Sequence, residues 1–485
     1  MNPTNHRDIL LVGIACSLLA PRTAAATEPG DVPSPAATAV AVPVPEPESP
    51  EPAGPTPTQA APLPRVGGSL WSRYEARSNY AEHGLTHPRL HREGDYVVSR
   101  ARLSVTTQPV TAKDGTRVSA RFVPQAAYTW GEDSGPAPTV SDHPSLDLYE
   151  GFARLENAWA RVDAGRFSMN YGDALVIGNL DWNESARAFN GVRVRATLDG
   201  QSTFVDLFAT VISEGRAATE QALAGDAYFW GAYAGLGPLL DPQLHLDAYF
   251  LGRSTLRNRS ITVTDPADPD VVAVGTRRTA HELTLGARAK GAVGMADYRI
   301  ESGIQFGQFP VEPNYDDLTP EAQAQRAYQA DAEFGVTPIG SLRVSLEGLV
   351  ASGDDLETPN RHEGYDELFP TGHKFLGLMD VIGPRTNVVS GVVHLSHSPM
   401  AGLKLSVDAH YFSRPRADAS GAKGYMGTEM DTNLSYAFSN GASARGMYGV
   451  FMPEKSFFLT ETNVSPAYAG RTIRYFELQL GYAFN

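Results

Sequence analysis

Residues Gly165–Arg195 read GRFSMNYGDALVIGNLDWNESARAFNGVRVR. Two alternating runs flank a middle that is too long for a hairpin turn and too apolar for an ordinary solvent loop. Gly172-Asp173, Gly178-Asn179 and Asp181-Trp182-Asn183 punctuate that middle. In the second run Gly191, Arg193 and Arg195 share one face, and Val192, Val194 and Ala196 share the other. Such a strand has two settings. Its apolar face lines a soluble core, or it meets lipid while the charged face meets water.

The rest of the chain selects between them. At 485 residues it could make two or three soluble domains or one large β architecture. The formal charge of -15 excludes nucleic acid as a partner. Arg7, the apolar run Ile9–Ala20 and the small residues Ala24-Ala25-Ala26 read as a signal peptide over residues 1–26. Its apolar run is too short to span a bilayer. The only cysteine, Cys16, lies inside it, and Gly13 stands where a lipoprotein signal wants a leucine-like residue. Residues 27–67 read as a disordered, Pro-rich periplasmic linker, since twelve prolines fall between Pro29 and Pro64. It is a spacer or a tether to a periplasmic partner. No later stretch is long and apolar enough for a transmembrane helix, so a membrane crossing must use strands.

From residue 68 to 485 the pattern predicts eighteen strands, most of ten to fourteen residues, including 95–109, 157–168, 188–199, 327–337 and 471–484. Their connections alternate. Asp199-Gly200, Pro338–Gly340 and Asn440-Gly441 are turn-like, whereas 169–187 and 353–384 are long. Facing is consistent too. Arg100, Arg102 and Ser104 oppose Val97, Ala101, Leu103 and Val105, and Arg117, Ser119 and Arg121 oppose Val118, Ala120 and Phe122. An arginine facing lipid near the midplane costs about 2–4 kcal/mol, so the charged faces belong in the lumen. The last strand sets Phe476, Leu478, Leu480, Tyr482 and Phe484 on one face and turns Tyr475, Glu477 and Gln479 inward. The expected fold is all-β, an 18-stranded antiparallel transmembrane β-barrel of outer-membrane type, surrounded by outer-membrane lipid. Two local features are expected. Arg161 and Asp163 differ in parity from Arg166, which predicts a bulge near Gly165. Glu214–Ala224 and Thr319–Ala330 read as sites of short helices, the latter with Thr319 as N-cap and Pro320 first.

The opening stretch resembles the signature of the alginate-export family of outer-membrane porins, in which a GRQ-type strand end leads through YGD and DW elements to an FDGVR-like strand. LFPTGHKFLGLMD at Leu368–Asp380 is a second match, and ASGD (Ala351–Asp354) and GTEMD (Gly427–Asp431) are weaker ones. Phe167 and Asn190 depart from the pattern. The resemblance implies an 18-stranded barrel and export of alginate across the bacterial outer membrane.

The residues point to a mechanism without the name. Basic residues Arg100, Arg102, Arg117, Arg121, Arg193, Arg195, Lys404 and Arg445 face the lumen and suit an anionic polysaccharide or small anions. Each has an alternative role in bracing the wall, and Glu282, Glu301, Asp331, Glu333, Glu347, Asp408, Asp431 and Glu477 are available as partners. The 169–187 loop, with Asp173, Asp181, Trp182 and Asn183, is the expected constriction, joined by His373 and Lys374. The competing functions are a plugged barrel that binds a partner and a porin for other small solutes. Enzyme chemistry is not expected, because Asp408/His410 and His245/Asp247 have no nucleophile placed beside them. Neither is a cofactor or metal. Gly84 and Pro88 break the helical face that His83, His87 and His91 would need, and the acids of Thr264–Asp270 read as a solvated loop.

Overall fold

The computed structural model describes residues 63–79, 94–130, 145–198, 203–212, 227–237, 244–255, 259–264, 271–311, 316–318, 320–460 and 470–484. The signal segment, nearly all of the linker, the His83–His91 stretch, Glu214–Ala224 and most of Thr264–Asp270 lie outside the described residues. The first strands are β1 (Arg65–Ser78), β2 (Gly94–Thr106), β3 (Arg117–Trp130), β4 (Ser145–Glu156), β5 (Ala160–Phe167) and β6 (Phe189–Thr197). Next come β7 (Phe204–Ile212), β8 (Ala227–Gly235), β9 (His245–Thr255), β10 (Ala280–Val293), β11 (Ala296–Phe309) and β12 (Gln323–Ile339). The last six are β13 (Leu342–Ala351), β14 (Val388–Met400), β15 (Leu403–Arg414), β16 (Gly424–Ala437), β17 (Ala442–Pro453) and β18 (Ile473–Phe484).

Each strand pairs antiparallel with the next, and β18 returns to β1 with Gly68 opposite Phe484 and Ser78 opposite Arg474. Closure removes the unpaired strand edges that lipid cannot satisfy. The eighteen strands thus form one barrel. Alternation fixes the facing. Arg73, Glu75, Arg77 and Arg100 are buried inside, while Leu70, Leu103, Phe122, Leu207, Leu346 and Leu480 are exposed on the outer face. Exposed aromatics gather at the two rims, with Trp130, Tyr328 and Tyr411 towards the long-loop rim and Trp159, Phe438, Tyr482 and Phe484 at the short-turn rim. That apolar band between aromatic girdles is what an outer-membrane bilayer requires.

Two local readings are corrected. No bulge occurs at Gly165, since β5 pairs in unbroken register with both β4 and β6. Gly165 instead takes φ +133°, and Arg166 sits at the outer end of β5, above the apolar band, donating to Leu148 O at 2.6 Å and Asn190 Oδ1 at 3.2 Å. The extra residue lies on β4, where Val123 opposes Glu150 and Pro124 opposes Leu148, leaving Tyr149 between them. Second, the helix expected over Thr319–Ala330 is strand from Gln323 onward. Pairing with β11, from Phe309 opposite Gln323 down the barrel, overrides the helical propensity of this Ala- and Gln-rich run. The 254–278 connection contains its own hairpin, Arg259–Thr264 against Val272–Arg277. One α-helix turn, Lys455–Thr460, follows β17.

Candidate functional site

The core of this barrel is made by its loops. A continuous apolar cluster joins Met169, Leu175, Val176 and Ile177 of the 168–188 loop to Leu368, Phe375, Leu376 and Met379 of the 352–387 loop. Both loops therefore fold into the lumen, as their apolar content requires. They meet backbone to backbone. Ile177 bridges Phe369 in parallel, with Gly178 N donating to Phe369 O at 2.7 Å, Phe369 N to Val176 O at 3.1 Å and Thr371 N to Ala174 O at 2.9 Å. A Cβ at Gly178 would lie 2.2 Å from Thr371 Oγ1, so only glycine permits this approach. Arg385, fully buried, donates to Leu175 O at 2.6 Å and ties the second loop to the first.

The wall holds both loops by polar anchors. On one side Arg100 donates to Asp181 O at 2.9 Å and Asn183 O at 3.0 Å. Arg102 reaches Asp181 Oδ1 at 2.5 Å, and Gln125 donates to Ser185 O at 3.0 Å. Arg73 donates to Trp182 O at 2.9 Å and lies 4.3 Å from its ring centre, while the other indole face stacks on His373 at 4.0 Å. The sandwich Arg73–Trp182–His373 thus spans wall, first loop and second loop, with cation–π attraction at its outer contact. Across the lumen Asp173 accepts from Arg288 Nε at 2.8 Å and from Lys290 at 3.4 Å. Burial opposes ionisation of Asp173, but Arg288, Lys374 and Lys290 outweigh it and hold its pKa down to about 2. His373 contacts Asp380 at 3.0 Å. The constriction residues expected from the sequence are thus brought together, and Asp181 and Lys374 remain exposed to lumen water.

The resemblance motifs converge here as well. Leu378 N and Met379 N, within LFPTGHKFLGLMD, donate to Asp431 Oδ2 at 3.0 Å and Glu429 Oε1 at 3.1 Å, the two acids of GTEMD. In ASGD, Ser352 O accepts from Tyr365 N and Asn387 N at 2.9 and 3.0 Å, and Asp354 accepts from Glu363 N at 2.7 Å, which closes the root of the second loop.

Along the early wall the basic residues meet acids that sequence reading did not single out. Arg121 pairs with Glu150 at 2.7 Å and Arg117 with Glu156 at 2.9 Å. Arg195 makes a fork to Asp206 with two contacts of 2.7 Å. Asp163, fully buried, is shared by Arg154 at 2.7 Å, Arg193 at 2.7 Å and Arg161 at 3.5 Å. The parity of Asp163, which puts it on one face with Arg161, was the available signal; its place opposite Arg154 and Arg193 is set by the register of the neighbouring strands. Arg445 contacts Asn433 at 3.1 Å and Glu477 at 3.5 Å, and Lys404 is exposed near the short-turn rim. The two Asp/His pairs separate. Asp408 binds His394 at 2.7 Å, His410 lies 3.6 Å from Asp431, and Asp247 accepts from Arg288 at 2.7 Å.

The comparisons with known proteins agree with this architecture. A family model described as alginate export matches residues 64–453. No curated protein matches the chain. Among solved structures, OpdK of Pseudomonas aeruginosa with vanillate is similar at 14% identity and TM-score 0.56, over 86% of this chain and 98% of that one. OccAB1 of Acinetobacter baumannii is similar at 12% identity and TM-score 0.57, over 86% and 96%. OccK5 of Pseudomonas aeruginosa is similar at 11% identity and TM-score 0.54, over 87% and 98%. At these identities the structures speak to the fold, which is that of outer-membrane porins. The chain is a bacterial outer-membrane channel rather than an enzyme, and it belongs to the alginate export family.

Proposed function

We propose that this channel passes anionic solutes, and most concretely that it exports an alginate-like anionic polysaccharide. One observation carries the reading. Among the described residues from β2 to β7, eight lumen arginines (100, 102, 117, 121, 154, 161, 193 and 195) share five carboxylates, Glu150, Glu156, Asp163, Asp181 and Asp206. The surplus is positive, and Asp163 alone serves three guanidiniums. Arginine forks offer carboxylates bidentate contacts, and many shared contacts let a polyanion bind weakly and move on. Arg100 and Arg102 anchor the first loop. Arg117, Arg121, Arg193 and Arg195 line the approach, and Lys404 and Arg445 add to it from the later strands β15 and β17. Asp181 and Lys374 meet cargo at the narrowest level. OpdK was solved with vanillate, itself a carboxylate, and the family model is described as alginate export. Both support an anionic cargo. The Pro-rich segment is proposed to act as a spacer.

The test is block of a single open channel by uronate oligomers of increasing length. Concentration-dependent block that strengthens with length is expected. An open pore that uronates do not block contradicts the polysaccharide cargo and leaves a porin for other solutes. A second reading rests on the loop core. Phe375, Leu376, Val176 and Ile177 are all at most 4% exposed, as in a plug. Under that reading the barrel is a binding or structural protein, and a purified barrel that forms no pore decides for it.

A further inference from the structure

Below the constriction, a cluster on β11 to β15 has an excess of acid. Among the described residues, Asp297, Asp331, Glu333, Glu347 and Asp408 surround two guanidiniums, Arg299 and Arg343. That leaves three negative charges in surplus, or two when His394 between Asp408 and Glu347 carries a proton on both ring nitrogens. Lys374 is close enough to act on Glu347 electrostatically but makes no ion pair with it among the described residues. His394 sits between two of the acids, Nδ1 at 2.7 Å from Asp408 Oδ1 and Nε2 at 3.1 Å from Glu347 Oε2. One ligand atom from each of Glu333, Glu347 and His394 falls within 4.8 Å of the others.

A second observation is independent of that spacing. Glu347 is 8% exposed and Asp331 1%, and among the described residues no nitrogen or hydroxyl donates to Glu347 Oε1 or Asp331 Oδ2, while the two side chains lie within hydrogen-bonding reach of each other. As two carboxylates they could only accept, so the pair must hold a shared proton or a cation.

We propose that Glu333, Glu347 and His394 form a site for a divalent transition metal of the Zn2+ class. Two carboxylates and an imidazole are a common ligand set for such ions. Asp408 accepts from the Nδ1–H of His394 and so orients Nε2 towards Glu347 Oε2, where the ion would replace the proton between them; Asp408 is thus a positioning residue. Arg299 and Arg343 keep Asp331 and Asp297 when Glu333 and Glu347 turn to the ion. The side chains of Glu333 and His394 are 17% and 19% exposed, which leaves an aqueous entry from the lumen. The inference does not depend on the nature of the cargo.

The test is calorimetric titration of ZnCl2 into the full barrel, purified without a histidine tag and stripped by chelator. One Zn2+ per chain is expected. His394→Asn and Glu347→Gln should each weaken binding at least about tenfold, while Asp408→Asn weakens it by about tenfold or more without abolishing it. His397→Asn, at the turn end of the same strand, should change nothing. Zinc-edge absorption on the wild-type protein needs no variant, and it should show a nitrogen ligand at about 2.0 Å. No Zn2+ binding by stripped wild type, a shell without nitrogen, undiminished binding by His394→Asn, or Mg2+ binding as tight as Zn2+ would each overturn the proposal.

Discussion

Among the described residues from β2 to β7, eight lumen arginines pair with five carboxylates. The cluster on β11 to β15 presents five carboxylates to two arginines. The same side chain has different work on the two sides. On the early wall Arg154, Arg161 and Arg193 share Asp163, and Arg100 and Arg102 share Asp181. A late-wall arginine is outnumbered and committed, as Arg299 is to Asp331, Glu333 and Glu347. The anionic cargo proposed above would therefore be drawn to one side of the lumen, beneath the loop that Arg100 and Arg102 hold.

Variants can break this contrast. The largest effect is expected from Asp163→Asn. It leaves three guanidiniums around a neutral amide at a fully buried position, which should cost about 3 kcal/mol of barrel stability. Urea unfolding followed by gel mobility reads it, and a midpoint equal to wild type would mean that Asp163 does not hold the early wall together. Next is Glu429→Ala. It orphans the buried amide of Met379 and should cost the second loop about 2 kcal/mol of its docking, seen as more frequent large openings in single-channel records. Unaltered gating would place the loop's hold elsewhere. Arg193→Gln with Arg195→Gln should then lower anion preference, read as a shift in reversal potential, and loosen the first loop, because Arg193 donates to Ser168 O and Arg195 pairs with the Asp206 to which Tyr171 donates. The smallest effect concerns pH. A carboxyl held down to about 2 contributes stability above its unfolded value near 4 and loses it only as pH falls through 2. In a variant with Trp182 as sole tryptophan, first-loop fluorescence should thus stay constant from pH 8 to 4 on account of Asp173. A transition centred above pH 4 that Asp173→Asn removes would contradict this.

The strands and their facing could be read from the sequence because a lipid-exposed strand repeats every second residue, and a charge on the wrong face is costly. The first loop could be read because Ala174–Leu180 is too apolar for water, and Phe375–Met379 carries the same signal in the second. What escaped were pairings that depend on register. Arg121 meets Glu150, and Arg193 meets Asp163, only because of how β3 to β6 align. The extra residue at Tyr149 is invisible in the alternation of β4 alone, whereas the parity break at Arg166 was visible but belonged to the rim. The run after Thr319 has helical composition, and only the neighbouring strand makes it extended.

The central claim is that the early wall's surplus of arginine governs what passes. It is tested most directly by the reversal potential of the wild-type channel in a planar bilayer under a KCl gradient at low salt. An anion-selective potential that collapses towards zero as salt rises is the expected result. A cation-selective potential, or none at any salt, would contradict the account.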